Sequence, residues 1–441
     1  MDVPTASRAG LWRNADFVKL WSGQAVSRLG SQVTLLAIPL IAITVVKAST
    51  FEVGMLSAVE FSPFIIVGLP AGVWVDRLAK RPLLIVADMG RVVALATIPA
   101  AHEIGTVTMG QLYLVAFVVG VLTVFFDVAY QSYLPVLVDR DQLVDGNAKL
   151  AVSESAATVT GPSVAGGLID LIGAPLAVIA DAASFGLSAV ALLLVGRREP
   201  PAPRAEPGRR PGMRAEIGEG LRYVLGHPLL RPIAFTTATS NLFSSMTVAV
   251  LTIFMVRSLG MSPGLIGLTL GIGNIGFVLG ALLSSRVSAW LGVGRTIVWS
   301  MGICGAGFLL LPLAQRSAPV PWLVAGGFLF ALGGPVYNIN QVSLRQAITP
   351  YRLQGRMNAS MRFLVWGTMP VGSVAGGILG TVLGLRPTLL IGGLGGTLAF
   401  LWVALSPVPG VTTMPMGEDG PDSGSGGGSG SGGSGSGGVQ E

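Results

Sequence analysis

Only 11% of the 441 residues are charged, while the nine apolar types make up 51% before 62 glycines are counted. Soluble domains carry about a quarter charged residues, so this chain cannot cover itself with a water-compatible surface. The formal net charge of +6 comes without an interleaved basic and aromatic patch, which sets aside a nucleic-acid partner, and one cysteine with two distant histidines, His102 and His227, leaves no internal disulfide and no metal site.

Crossing a bilayer takes about 20 apolar residues per helix. Twelve such stretches are expected, the first from Phe17 to Val46 and the others starting near Phe51, Leu83, Met109, Gly146, Ala174, Leu229, Pro263, Thr296, Val320, Gly355 and Pro387. The first fifteen residues are polar and the first apolar run is too long for a signal-peptide core, so no cleaved leader is expected. Basic residues near helix ends stay on the cytoplasmic side. Twelve spans from an inside start put Lys47, Arg257, Arg316 and Arg386 outside. Arg77, Lys80, Arg81, Arg197, Arg198, Arg204, Arg209, Arg210, Arg214, Arg286, Arg295, Arg345, Arg352 and Arg356 then fall inside. The expectation is an all-α, multi-pass protein of the cytoplasmic membrane with both termini in the cytoplasm.

In chain order, Arg28 lies about eleven residues into the first span and Glu60 lies within the second. Between the second and third spans stands Gly72-Val-Trp-Val-Asp76-Arg77-Leu-Ala-Lys80-Arg81. A tight Gly, then Asp-Arg, then a basic pair resembles the loop signature of the major facilitator superfamily, with Trp74 where that family usually has Leu and Ala79 where it has a second Gly. The resemblance covers about Phe17 to Ser406. It implies two six-helix halves, a cavity lined by the first, fourth, seventh and tenth spans, and a gating role for Asp76. Helix eleven should begin near Gly355, where its positive end and Arg356 favour an anion; the resemblance implies that this contact holds the halves together inside when the cavity opens outward. Asp16-Phe17 with Ser27-Arg28-Leu-Gly30, and Ala180-Asp181 with Ser184-Phe185, look most like bacterial exporters related to macrolide efflux pumps and enterobactin exporters.

An ionisable side chain at a helix centre costs about 2.5–3.5 kcal/mol on insertion scales, so such groups face a cavity or a partner. Four acids and one Arg are read at that depth: Glu60, Asp127, Glu154, Asp181 and Arg28. At a rise of about 1.5 Å per residue, Arg28 and Asp127 sit equally deep and are placed to meet near the midplane; the alternatives are a functional, proton-carrying pair and a permanent packing bridge. Glu60 and Glu154 are alternative proton carriers, and Asp181 beside Ser184 reads as structural. Phe125, Phe126, Tyr130 and Tyr133 run along the fourth span, with Phe126 and Tyr130 taken as cavity candidates. Gly161-Pro162 with Gly166-Gly167 in the fifth span permits a kink or close helix approach.

The segment from Glu199 to Arg222 is rich in Pro, Arg and Glu and has no long apolar run. It sets the expected organisation: a first bundle over 1–196, a cytoplasmic linker over 197–228, a second bundle over 229–406 and a flexible Gly/Ser tail over 407–441. Ser163-Val-Ala-Gly-Gly167 recurs as Ser373-Val-Ala-Gly-Gly377, 210 residues on, and Gln131 with Gln341, Leu134 with Leu344 and Leu143 with Leu353 keep that spacing. The halves read as copies of one unit, as in transporters built from parallel repeats.

Gly271-Ile-Gly273-Asn-Ile-Gly276 fits a dinucleotide fingerprint by letter, but it lies in a membrane-length run with no preceding strand; it reads as helix packing. No phosphate-binding Gly-Lys-Ser/Thr loop exists, so energy comes from an ion gradient or a partner, and no cofactor is expected. Between Glu219 and Glu418 there is no Asp or Glu but eleven Arg. Asn241, Asn274, Tyr337, Asn338, Asn340 and Arg362 are the polar groups in the later spans; all but Asn274 are taken as cavity candidates. The chain reads as a monomeric, proton-coupled secondary transporter exporting amphipathic small molecules by alternating access, not an enzyme. The alternatives are export of an anionic siderophore, lipid transport or uptake, and a non-transporting membrane receptor or scaffold.

Overall fold

The computed structural model describes residues 11–68, 71, 74–75, 78–139, 142–197 and 213–414. The first half contains α1 (Ala15–Thr44), α2 (Thr50–Ile66), α3 (Lys80–Glu103), α4 (Met109–Leu137), α5 (Leu143–Ile172) and α6 (Ala174–Leu193). A short amphipathic helix, α7 (Met213–Gly226), leads to α8 (Leu230–Ile253), α9 (Pro263–Leu291), α10 (Val293–Leu310) and α11 (Pro319–Ile348). The last two spans are broken: α12 (Tyr351–Trp366) continues as α13 (Thr368–Val382) past Gly367, and α14 (Leu385–Leu398) continues as α15 (Leu401–Ala404). Among the described residues, ten segments are long and apolar enough to cross a membrane. The other two expected spans are α2, only 17 residues long, and α5, which carries Asp145, Lys149, Glu154 and Asp170.

Polar caps start these helices where the apolar patterns begin. Asn14 accepts the Asp16 and Phe17 amides at the head of α1, and Ser49 with Glu52 forms a reciprocal capping box on α2. Asp16 reaches across to the end of α6, accepting the Gly196 and Arg197 amides at 3.0 and 2.9 Å. Arg81 donates to the Leu192 and Leu193 carbonyls there, which satisfies the orphan acceptors that a helix end leaves.

The two ends of the bundle differ. At the end far from the chain termini, one buried apolar cluster joins both halves, from Ile41 and Val53 to Val250, Phe254 and Leu323. At the terminal end the buried residues fall into two separate clusters, one around Phe17, Leu84 and Tyr133 in the first half and one around Ile233, Ile297 and Met357 in the second. The far end is sealed and a cleft divides the terminal end.

Small residues make the seal, as close helix approach in lipid requires. Gly54 of α2 packs on α13, where an added Cβ would fall 2.6 Å from the Gly377 Cα and 2.9 Å from the Ser373 carbonyl oxygen. Gly166 of α5 meets Gly264 and Gly267 of α9, and Ser163 Oγ lies 3.4 Å from the Gly267 oxygen. Both copies of the repeated Ser-Val-Ala-Gly-Gly therefore sit at crossings between the halves. α5 continues through Pro162 as one helix; Gly166 meets α9, Gly161 faces Gln32 of α1, and a Cβ at Gly167 would meet nothing within 4 Å. The Gly271–Gly276 motif packs in the same way, Gly271 against Ser163 and Gly276 against Leu332. Asn274 Nδ2 donates to the Thr158 oxygen at 2.8 Å, and Arg257 to the Ala48 oxygen at 2.6 Å, both across the halves.

Candidate functional site: a charged cleft

Three connected chambers run inward from the cleft. The deepest, about 290 Å³, is walled by the first half alone: Gln24, Arg28 and Gln32 of α1, Glu60, Phe61 and Phe64 of α2, Arg91 of α3, Phe126 and Asp127 of α4, and Asp181 and Phe185 of α6. The middle one, about 520 Å³, lies between the halves and shares Arg28, Phe64 and Asp127 with the first, adding Gln131, Glu154, Asn358, Arg362 and Trp366. The third, about 500 Å³, is polar and belongs mainly to the second half, with Thr237, Asn241, Asn338, Gln341, Arg345 and Arg362.

Arg28 Nη2 and Asp127 Oδ1 stand 3.3 Å apart in the wall shared by the first two chambers. Their side chains keep 38% and 31% of their exposure, so this pair is reachable from the cleft. Phe64 and Trp366 meet edge to face across the halves, ring centres 5.2 Å apart, between the deep chamber and the wider space. The Arg362 guanidinium lies 4.9 Å from the centre of the Trp366 ring.

The buried charges extend beyond those the sequence singled out. Asp88 and Arg91, one helical turn apart on α3, form an ion pair with relative exposures of 0% and 4%. Arg91 also stacks on Phe185 and Phe126, at 4.0 and 4.4 Å from the ring centres. The count of four acids and one Arg is thus corrected by one more of each. The signal was legible: an acid and a base at i and i+3 inside an apolar helix, the spacing that lets each neutralise the other. Asp181 accepts from Ser184 Oγ at 3.1 Å, and that hydroxyl also donates to the Asp181 backbone oxygen at 2.8 Å.

Other expected positions fall elsewhere. Tyr337 is buried in the second-half cluster with its hydroxyl 2.6 Å from Thr237 Oγ1, and Asn340 donates to Ser284 Oγ at 3.1 Å and to the Val336 oxygen. Both pack helices together instead of facing the cleft, because their i+4 and cross-helix partners take up their polar atoms. Tyr130 stacks beside Phe126, 6.0 Å away, outside the walls of the three chambers, whereas Glu60, Glu154, Phe126, Asn241, Asn338 and Arg362 do line them. Of the loop motif, Gly72, Asp76 and Arg77 lie outside the described residues. Lys80 donates to the Val75 and Leu78 carbonyls. Arg356 pairs with Glu219 of α7, and Gly220 of that helix abuts the Arg356 backbone. The segment read as a linker therefore docks a helix onto α12, and Arg356 has Glu219 as a carboxylate partner, while the Asp76 expected beside it lies outside the described residues.

Two bundles of apolar helices, sealed at one end around a charged central cleft, define a multi-pass membrane transporter of the major facilitator superfamily. Within it, the chain belongs to the transmembrane secretion effector family, whose profile matches residues 6–417. It is 23% identical over 394 residues to the uncharacterized transporter YfiS of Bacillus subtilis, covering 87% of this chain and 91% of that one. It is 25% identical over 373 residues to the multidrug efflux pump Tap of Mycolicibacterium fortuitum (82% and 88% covered), and 27% identical over 174 residues to macrolide efflux protein A of Streptococcus pyogenes (37% and 43% covered). Among solved structures it is similar to a bacterial homologue of the iron transporter ferroportin in an inward-facing state, with a TM-score of 0.71, 16% identity, and 88% and 98% of the two chains covered. The nucleoside transporter NupG gives a TM-score of 0.68 at 13% identity, with the same coverage.

Proposed function

We propose that this transporter exports amphipathic small molecules across the cytoplasmic membrane in exchange for protons, and that its structure is the inward-facing stage of an alternating-access cycle. The observation that carries the reading is the partly exposed Arg28–Asp127 pair in the wall between two chambers. A carboxylate in low-dielectric surroundings keeps its charge while an Arg is beside it and favours the neutral form when separated. A rocking motion that parts α1 from α4 loads Asp127 with a proton, and rejoining expels it. Each proton entering down the membrane potential supplies about 2.3 kcal/mol per 100 mV, enough for more than a tenfold substrate gradient.

Glu60, in a deep chamber with Phe61, Phe64, Phe126 and Phe185, is the alternative carrier and a fitting contact for an amphipath. The basic excess on the loops of the terminal end supports placing that end in the cytoplasm, and the similarity to the Tap and macrolide efflux proteins supports export. A second reading has its own observation: Arg345 and Arg362 line the outermost chamber, which fits an anionic substrate such as a siderophore. Arg362→Ala separates the two, since only anion export should collapse.

The test is proton movement in energised everted vesicles, followed with a pH-sensitive dye as macrolides, cationic dyes and catecholates are added. Substrate-triggered alkalinisation that disappears in Asp127→Asn is the expected result. Absence of any response in wild type would overturn proton-coupled export and favour uptake, lipid transport or a non-transporting role.

A further inference from the structure

The second half holds a charge imbalance of which only a part, Arg345 and Arg362, lines the cleft. Its eleven arginines between Glu219 and Glu418 have no acid among them in sequence, and several are satisfied by carbonyls, Arg257 by Ala48, Arg316 by Ser258 and Arg386 by Ala314. Arg231 is placed differently. It stands exposed in the first turn of α8, a turn with no acidic residue, whose leading amides are taken by His227 Nδ1 and the His227 carbonyl while the guanidinium has no partner of opposite charge among the described residues. A helix start already carries partial positive charge, so an Arg there is disfavoured until an anion joins it.

The same Arg borders a groove of about 1020 Å³ on the outer face of the bundle, between α8 and the broken last span. Its floor and walls are apolar: Phe235, Phe243, Leu398, Leu401 and Trp402. Trp402 is half exposed and anchored by its indole N–H to Thr239 Oγ1 at 3.2 Å, the amphipathic placement that tryptophans adopt at a membrane interface. Apolar groove, interfacial Trp and an uncompensated cation at one end match a phospholipid in three parts: chains, glycerol level and phosphate.

We propose that this groove is a binding site for one anionic phospholipid, its chains against Phe235 and Leu398 and its headgroup phosphate on the Arg231 guanidinium. Among the described residues no carboxylate pairs with Arg231, and the bilayer supplies phosphate at that depth. A polybasic interface attracts anionic lipid through every basic residue close to the membrane surface. The site described here differs by being local, so one arginine should account for most of the response.

The test uses the full-length protein purified in a neutral detergent, with phosphatidylglycerol or phosphatidylcholine added, read by thermal unfolding and by native mass spectrometry. Phosphatidylglycerol is expected to raise the unfolding temperature and leave one retained lipid, with phosphatidylcholine giving little. Arg231→Gln should lose most of that increment, Arg231→Lys should keep part of it, and Arg295→Gln, elsewhere on the same half, should behave as wild type. Glycerol phosphate, which has the headgroup but no chains, should not substitute. Equal responses in Arg231→Gln and Arg295→Gln would reduce the effect to general surface charge and overturn the site, as would equal retention of the two lipids by wild type. Neither readout involves transport, so the outcome is independent of the proposed export activity.

Discussion

Adding a single methyl group at Gly54 should loosen the far-end seal. The Cβ would sit 2.6 Å from the Gly377 Cα, 2.8 Å from its nitrogen and 2.9 Å from the Ser373 oxygen. All three are backbone atoms, so no rotamer change relieves the clash, and the helices must part by about 1 Å to restore ordinary contact near 3.5–4.0 Å. Overpacking of this kind costs about 1–3 kcal/mol. The cost falls only on the conformer in which α2 touches α13, so it should shift the equilibrium toward a far-end-open state by about 5- to 150-fold. Ile38 lines the deep chamber beneath the seal and is 8% exposed. A cysteine there, with the buried Cys304 replaced by alanine, should react with an impermeant maleimide added to intact cells, and Gly54→Ala should speed the reaction by that factor. Gly186→Ala, at a glycine whose added Cβ meets nothing within 4 Å, should leave it unchanged. Equal rates in wild type and Gly54→Ala would refute the assignment of the seal.

Asp88→Asn leaves Arg91 buried without its anion and should cost about 3–5 kcal/mol, read as a lowered unfolding temperature; Asp88→Asn with Arg91→Met should recover much of it, and failure to recover would mean that Arg91 depends on other partners. Glu219→Gln releases Arg356 from α7 and should speed proteolysis in the segment between the halves while leaving the spans folded. His227 accepts the Leu229 and Leu230 amides through Nδ1, at 3.1 and 3.4 Å, so its ring is neutral in the fold, and burial lowers its pKa below the usual 6.5. A folded-state pKa below the unfolded one gives stability that is present above about pH 6.5 and lost as pH falls through the folded value. Wild type should therefore lose more thermal stability than His227→Gln between about pH 7 and pH 5; parallel curves would remove His227 as the cause.

The architecture was legible because bilayer crossing imposes a length and a composition that no other environment demands. The repeated pentapeptide marked both crossings between the halves, since only small residues let helices approach so closely. The depth argument placed Arg28 and Asp127 at one level, and they stand 3.3 Å apart. What eluded the sequence was helix rotation. Asn340 and Tyr337 lie at the expected depth but turn toward α9 and α8, and which side of a helix faces the cleft depends on neighbours that a single apolar pattern does not distinguish. The Asp88–Arg91 pair leaves no isolated charge in the apolar pattern, because its two members neutralise each other one turn apart. The pairing of Arg356 with α7 was hidden because that amphipathic helix follows a Pro- and Arg-rich stretch with no apolar run.

The most direct measurement of alternating access is the distance between spin labels at exposed positions on the two halves, Glu103 with Ser317 at the far end and Ala148 with Tyr351 at the terminal end, in lipid nanodiscs. With substrate and a change of pH, the terminal-end distance should shorten while the far-end distance lengthens, and Asp127→Asn should lose the pH-driven part. Distances at both ends that stay fixed under every condition, in a protein shown to bind its substrate, would contradict the account.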